Sequence, residues 1–248
     1  MEIIGIISGK GGIGKSTIAK NLSIKISEEN KVLLIDSDFG FRTLDLMLKE
    51  ENAIYDIYDF SKNLDDFESI NNVEDYENLD FICASQSKTI EDCNMEILKT
   101  KLEKFSGTYK YIIVDIPRDE KTIVKWSQIV NRFLIITDDS DVSLRLTDKI
   151  MFIFLKNKII KELNIIFNKI RKAEDFNLEE KYEIFMGPNV KIISYIPFLL
   201  NLEIEDYDKF MDYMGDILLY IDTGNINIRE SEKNNNEEKG FLKKIFGK

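Results

Sequence analysis

Gly9-Lys10-Gly11-Gly12-Ile13-Gly14-Lys15-Ser16-Thr17 follows the pattern Gly-x-x-x-x-Gly-Lys-Ser/Thr, a glycine-rich turn whose backbone N–H groups wrap around phosphate oxygens. Close approach of a phosphate to the backbone requires glycine. Lys15 is placed to reach the β- and γ-phosphates, and the Ser16 hydroxyl to reach Mg²⁺. The flanks supply the context this motif needs. Ile3-Ile4-Gly5-Ile6-Ile7 reads as a buried strand, and from Ser16 onward Ile18, Ala19, Leu22 and Ile26 share one helix face. The start of that helix adds its dipole to the anion site. A flexible glycine turn alone explains neither the strand, nor the helix, nor the closing Lys-Ser. The stretch Gly9–Thr17 therefore predicts nucleotide binding.

Working outward, Lys31-Val32-Leu33-Leu34-Ile35-Asp36 is a second apolar strand, and it runs into Ser37-Asp38. A strand–loop–helix–strand unit of this kind implies a parallel sheet with its chemistry at the C-terminal strand ends. Asp36 and Asp38 then arrive beside the γ-phosphate, where carboxylates position Mg²⁺ and a water. Acids at a strand end can equally cap the next helix. Tyr111-Ile112-Ile113-Val114-Asp115 repeats the pattern, and its closing Asp115 is placed to hold Mg²⁺, usually through water. Further strands are expected at 78–83, 132–137, 163–168 and 190–197, and helices at 95–105, 141–155 and 203–221. Residues 61–77 read as a polar surface connection. The expected architecture is α/β: a single phosphate-loop NTPase domain over residues 1–221, with a mostly parallel sheet flanked by helices.

Composition narrows the function. The chain carries a net charge of −11 and a pI near 4.8, so the basic footprint of a DNA-backbone binder is missing and no specific nucleic acid is expected. It has no histidine, which removes imidazole acid–base chemistry and His metal sites. Cys83 and Cys93 form no Cys-x-x-Cys pair and read as ordinary thiols of a reducing cytosol. Met1-Glu2 opens into a strand without a basic leader, so no signal peptide is expected. The most apolar helix, around Ile150 to Leu155, is too short and too lysine-interrupted to span a bilayer. Residues 222–238 are polar, without periodicity, and read as a linker. In residues 239–248, Phe241, Leu242, Ile245 and Phe246 would share one helix face with Lys243 and Lys244 flanking it. A basic amphipathic segment on an acidic chain reads as a membrane-surface helix for anionic lipid; a floppy tail or a helix docked on the core is the plainer alternative.

Lys10, directly after the first glycine of the loop, resembles the signature of the deviant phosphate-loop ATPases, which include the MinD and ParA proteins. Asp38-Phe39-Gly40-Phe41-Arg42-Thr43-Leu44-Asp45-Leu46-Met47 is similar to the Asp-x-Gly-x-Arg-x-Leu-Asp-Leu run of the MinD branch, and Ala84-Ser85-Gln86 to the ending of that family's next strand. The amphipathic end segment resembles the MinD targeting helix. The resemblance implies ATP and Mg²⁺ as ligand and cofactor, and an ATP-dependent homodimer in which Lys10 reaches the partner's phosphates. It implies catalytic roles for Lys10 and Asp38 and metal contacts from Ser16, Asp36 and Asp115. It also implies an adenine pocket using Asn168 and Pro197, which otherwise read as a turn Asn and a strand-end Pro. The helix from Asp141 resembles the family's dimer and partner-binding face, or is a surface helix with i, i+4 charge pairs.

By the same resemblance the protein is expected in the cytoplasm, peripheral on the inner membrane face when ATP-bound. Its output would be septum placement through a MinC-type inhibitor, with a MinE-type stimulator or a polar anchor as regulator. A related regulator of flagellum number is the rival, although its N-terminal extension has no counterpart before the first strand. Iron–sulfur carriage would need clustered cysteines. One departure bears on hydrolysis. Asp115-Ile116-Pro117-Arg118-Asp119 stands where the family has Asp-Ser/Thr-Pro-Ala-Gly, so Asp119 is expected to repel the γ-phosphate, and a hydrolysis-poor recruitment scaffold is a second rival.

Overall fold

The computed structural model describes residues 1–40, 42–62, 68–171, 189–202 and 205–227. Its centre is a sheet of eight strands: β1 (Glu2–Ser8), β2 (Val32–Asp36), β3 (Asn71–Asn72), β4 (Leu79–Ile82), β5 (Tyr111–Asp115), β6 (Arg132–Thr137), β7 (Glu162–Ile170) and β8 (Val190–Pro197). Their order is β3-β4-β2-β5-β1-β6-β7-β8. Every pairing is parallel except the short edge pair β3–β4. The strands are almost wholly apolar because helices cover both faces.

Alternate residues of each strand feed opposite cores. Ile3, Ile7, Leu33, Ile35, Ile112 and Val114 face one side, where α3 (Ile57–Phe60), α4 (Met95–Lys104), α5 (Glu120–Trp126) and α6 (Asp141–Lys156) supply Phe60, Leu98, Trp126 and Ile153. Ile4, Ile6, Leu34, Ile113 and Leu134 face the other, against Ile18 and Leu22 of α1 (Lys15–Ser27) and Met214 and Ile217 of α7 (Tyr207–Thr223). The connection after β1 runs one way to β2, past β5, and the chain later crosses back from β5 to β6. The turn at Gly9–Gly14 thus lies at the point where strand order reverses, the usual ligand crevice of an open α/β sheet.

Several boundaries differ from expectation. The connection 61–77 contains β3, an edge strand too short to show any periodicity. Strand β7 continues past Asn168 to Ile170, with an irregularity in register between Phe167 and Ile170. The last helix, expected over 203–221, spans Tyr207–Thr223, so its final turn takes in the first residues assigned to the linker. Phe41, the linker beyond Asn227 and the amphipathic segment 239–248, with Phe241, Leu242, Lys243, Lys244, Ile245 and Phe246, lie outside the described residues. No helix among the described residues is long and apolar enough to cross a membrane.

Candidate functional site: the phosphate loop and its acids

The loop is pinned from three sides. Ile13 is buried in the core shared with α1 and α7. Gly9 lies so close to α6 that a Cβ there would sit 2.7 Å from the Leu146 backbone. On the third side, two consecutive residues of β7 hold consecutive loop carbonyls. Asn168 Nδ2 donates to Ile13 O at 2.7 Å, and Lys169 Nζ donates to Gly12 O at 2.8 Å. In a trans peptide the C=O and N–H point opposite ways. Carbonyls drawn toward β7 therefore turn the N–H groups of Ile13 and Gly14 into the loop, where a phosphate would sit. Gly14 has φ +95°, and a Cβ on it would come within 2.6 Å of the Asn168 amide, so conformation and space both demand glycine. Lys169 was not expected from sequence. Its φ of 61° is unusual for a non-glycine residue and helps turn its ammonium back over the loop.

The carboxylates of Asp115 and Asp38 reach the first residues of α1, and that of Asp36 stands beside Asp115. Lys15 Nζ lies 2.5 Å from Asp115 Oδ1 and 4.0 Å from Asp38 Oδ2. Ser16 Oγ donates to Asp115 Oδ2 at 2.5 Å. Asp36 and Asp115 stand side by side at the ends of paired strands, and both are fully buried. Burial, reinforced by the charge of Asp115, pushes the Asp36 carboxyl up to about 7. Asp36 also does part of the capping work that acids at a strand end can do: it accepts from Asp38 N at 2.8 Å and from Leu44 N, at the start of α2 (Leu44–Leu48), at 3.3 Å. Asp38 is less buried, and desolvation again raises its carboxyl, with Lys15 opposing. The buried Asp115 carboxylate and the Ser16 hydroxyl, with Asp36 beside Asp115, form an all-oxygen donor set. That is the chemistry Mg²⁺ prefers, with phosphate and water completing its shell. The residues fit the ion.

Lys10 is neither free in solvent nor unpartnered. Its Nζ lies 2.7 Å from Asp138 Oδ2 and 3.3 Å from Ser140 Oγ, at the start of α6. Burial alone would raise the Asp138 carboxyl, but hydrogen bonds from Lys10 and Ser140 outweigh it and hold it below its ordinary value. Ser140 and Ser143 tie this turn together: Ser140 caps α6 through Ser143 N, and the Ser143 hydroxyl meets Asp138 N and Thr137. An open cleft of about 390 Å³ lies beside Lys10 and the loop, with Asp138, Lys169, Arg171 and Phe198 on its walls.

Asn168 and Pro197, expected together at an adenine, do come together. With Gly14, Thr17, Ile196 and Leu199 they line a small, mainly apolar cavity of about 70 Å³. The Asp119 side chain accepts from Thr122 N at 2.9 Å and caps α5, and its charge still reaches the site, where it helps to raise the Asp38 carboxyl. Cys83 and Cys93 are buried free thiols, pushed by desolvation up to about 12 and about 11.

Comparison with known proteins agrees with this geometry. The family model described as an AAA domain matches residues 1–168. The septum site-determining protein MinD of Helicobacter pylori is 30% identical over 206 residues, which cover 77% of each chain. Among solved structures, the MinC:MinD cell division protein complex of Aquifex aeolicus superposes with a TM-score of 0.70 at 27% identity, covering 90% of both chains. A plasmid partition protein of Borrelia burgdorferi bound to AMPPNP superposes with a TM-score of 0.71 at 25% identity, covering 89% of this chain and 98% of that one. With its loop, its paired strand-end acids and these relatives, the chain belongs to the MinD family of septum site-determining, phosphate-loop ATPases.

Proposed function

We propose that the chain binds ATP with Mg²⁺, closes as a homodimer around its nucleotides, and attaches to anionic lipid on the inner membrane face in that state. There it would position the division septum through a MinC-type inhibitor, and hydrolysis would release it. The reading rests first on the convergence of Lys15, Ser16, Asp36, Asp38 and Asp115 at the mouth of the loop. Lys15 would exchange Asp115 for the β- and γ-phosphates. Asp115 and Ser16, so released, would hold the metal, with Asp36 behind them. Bound there, Mg²⁺ neutralises charge on the phosphate oxygens. Asp38, the most solvent-accessible of the three acids, suits the orientation of the attacking water.

Lys10 would leave Asp138 to reach the partner's phosphates. The membrane half of the proposal rests on residues 239–248: a single short anchor binds reversibly, and a dimer brings two anchors to one surface. The relatives' septum site-determining names favour division over flagellar control. Gel filtration tests the nucleotide switch. The wild type should dimerise with ATP and Mg²⁺ but not with ADP, Lys15→Ala should lose ATP binding, and Lys10→Ala should bind ATP and stay monomeric. A Lys15→Ala variant that binds ATP normally would refute the site.

A further inference from the structure

Helix α6 carries more apolar residues than its core position uses. Ile150, Ile153 and Phe154 are 2%, 5% and 3% exposed and face the sheet. Phe152 and Leu155, three apart and so neighbours on the outer surface, are 61% and 76% exposed, and Ile160 in the turn behind the helix is 82% exposed. Lysines surround them. From Lys149 to Lys161 the chain has Lys149, Lys156, Lys158 and Lys161 and no acid, within a protein of net charge −11. Lys156 is shared with Glu120 at 2.8 Å. Among the described residues, Lys149, Lys158 and Lys161 form no ion pair.

We propose that this end of α6 and the turn behind it, Lys149 to Lys161, form a second surface for anionic lipid, separate from residues 239–248. Three features select a lipid surface over a folded partner. The apolar side chains protrude: residues so exposed stand out of the surface, whereas a groove that receives a peptide helix covers its own walls. The mixture of large apolar tips and long lysine stems is what the interface favours, with tips entering the acyl boundary and ammonium groups staying among phosphates. The surface also lies at the end of the sheet where α7 finishes, although α6 and α7 cover opposite faces. Glu162, next to Lys161, accepts a hydrogen bond at 2.7 Å from the Tyr220 hydroxyl in the last turn of α7. An anchor leaving α7 and the lysine cluster can therefore meet one bilayer together, and each raises the effective concentration of the other. The assignment deepens the membrane part of the proposed function and rests on the reading that this chain meets a bilayer.

The test uses the full chain and vesicles of mixed phosphatidylglycerol and phosphatidylcholine. In Leu155→Cys an environment-sensitive thiol label reports depth, because Cys83 and Cys93 are buried. The same label in Lys49→Cys, a position on α2's exposed end, is the control. A blue shift on adding vesicles is expected at residue 155 and not at residue 49. Lys158→Glu with Lys161→Glu should lower vesicle affinity about tenfold or more and leave ATP-dependent dimerisation unchanged. Lys158 is exposed on the turn and Lys161 is half-buried just before β7, and circular dichroism checks that the double variant folds. Equal shifts at both labels, no shift at residue 155, or unchanged affinity in the double variant would each overturn the surface. If deleting residues 239–248 abolishes binding while the double variant binds like wild type, the surface falls and the proposed function stands. If only the double variant loses binding, the surface stands and the terminal anchor falls.

Discussion

The Lys10–Asp138 pair makes a quantitative prediction about dimerisation. In the structure the lysine that would serve the partner's phosphates is held in its own chain at 2.7 Å. Forming a symmetric dimer would break this contact once in each protomer. The Lys10 side chain is 35% exposed and that of Asp138 is 13% exposed, so solvent screens the pair and its net value is at most about 1 kcal/mol. Two such pairs give roughly 2 kcal/mol, or about thirtyfold in the dimerisation constant. Asp138→Asn keeps the shape and the link to Ser140 but removes the charge. It should therefore dimerise about ten- to thirtyfold more tightly with a non-hydrolysable ATP analogue, measured by sedimentation velocity over a concentration series. The advantage should shrink as salt rises, because a partly exposed pair is screened in wild type as well. A dimerisation constant equal to wild type would show that the pair imposes no restraint. A weaker dimer would show that Asp138 acts across the interface instead.

Other expectations follow from single contacts. Gly14→Ala must adopt φ +95° and displace the Asn168 amide. Together these cost about 2–3 kcal/mol, a drop of roughly 5–10 °C in Tm for a domain of this size. Gly11→Ala, where an added Cβ meets nothing within 4 Å, should leave Tm within a degree or two. Lys169→Ala should weaken ATP binding several-fold in calorimetry, with little change in Tm, because it frees the Gly12 carbonyl without opening the core. Thiols react as thiolates, and burial raises Cys83 to about 12 and Cys93 to about 11. Alkylation at pH 8 should therefore run at least about a hundredfold slower than for a free cysteine and quicken as pH rises; rapid modification of the native protein would contradict the burial.

The motif and its flanking strands were legible because their signals are local. Gly9–Thr17 fits one pattern, and the short, β-branched-rich apolar runs ending in Asp36 and Asp115 suit strands buried on both faces. The capping role of Asp119 had a local signal too: an Asp directly before a helix that opens with Glu120 is an N-cap pattern. Other features had no local signal. Lys10 and Asp138 are far apart in sequence, and only the β1–β6 pairing brings them together. Lys169 acts through a left-handed backbone at a strand end, which a lysine does not advertise. The two-residue strand β3 is too short for alternation to appear. On α6, Phe152 and Leu155 cannot be told from core positions by periodicity alone, because Ile150, Ile153 and Phe154 already fill the inward face.

Nucleotide-controlled membrane attachment is the centre of the account, and co-sedimentation of the full chain with anionic vesicles measures it directly. With ATP and Mg²⁺ most of the protein should pellet; with ADP it should remain largely in the supernatant. Deleting residues 239–248 should remove the ATP-dependent part. Phe241→Ala with Phe246→Ala should weaken binding more than Lys243→Ala with Lys244→Ala, since a buried Phe is worth roughly 1.5–3 kcal/mol against about 1 for a surface lysine. Equal sedimentation with the two nucleotides, or ATP-dependent sedimentation that survives the deletion, would contradict the account.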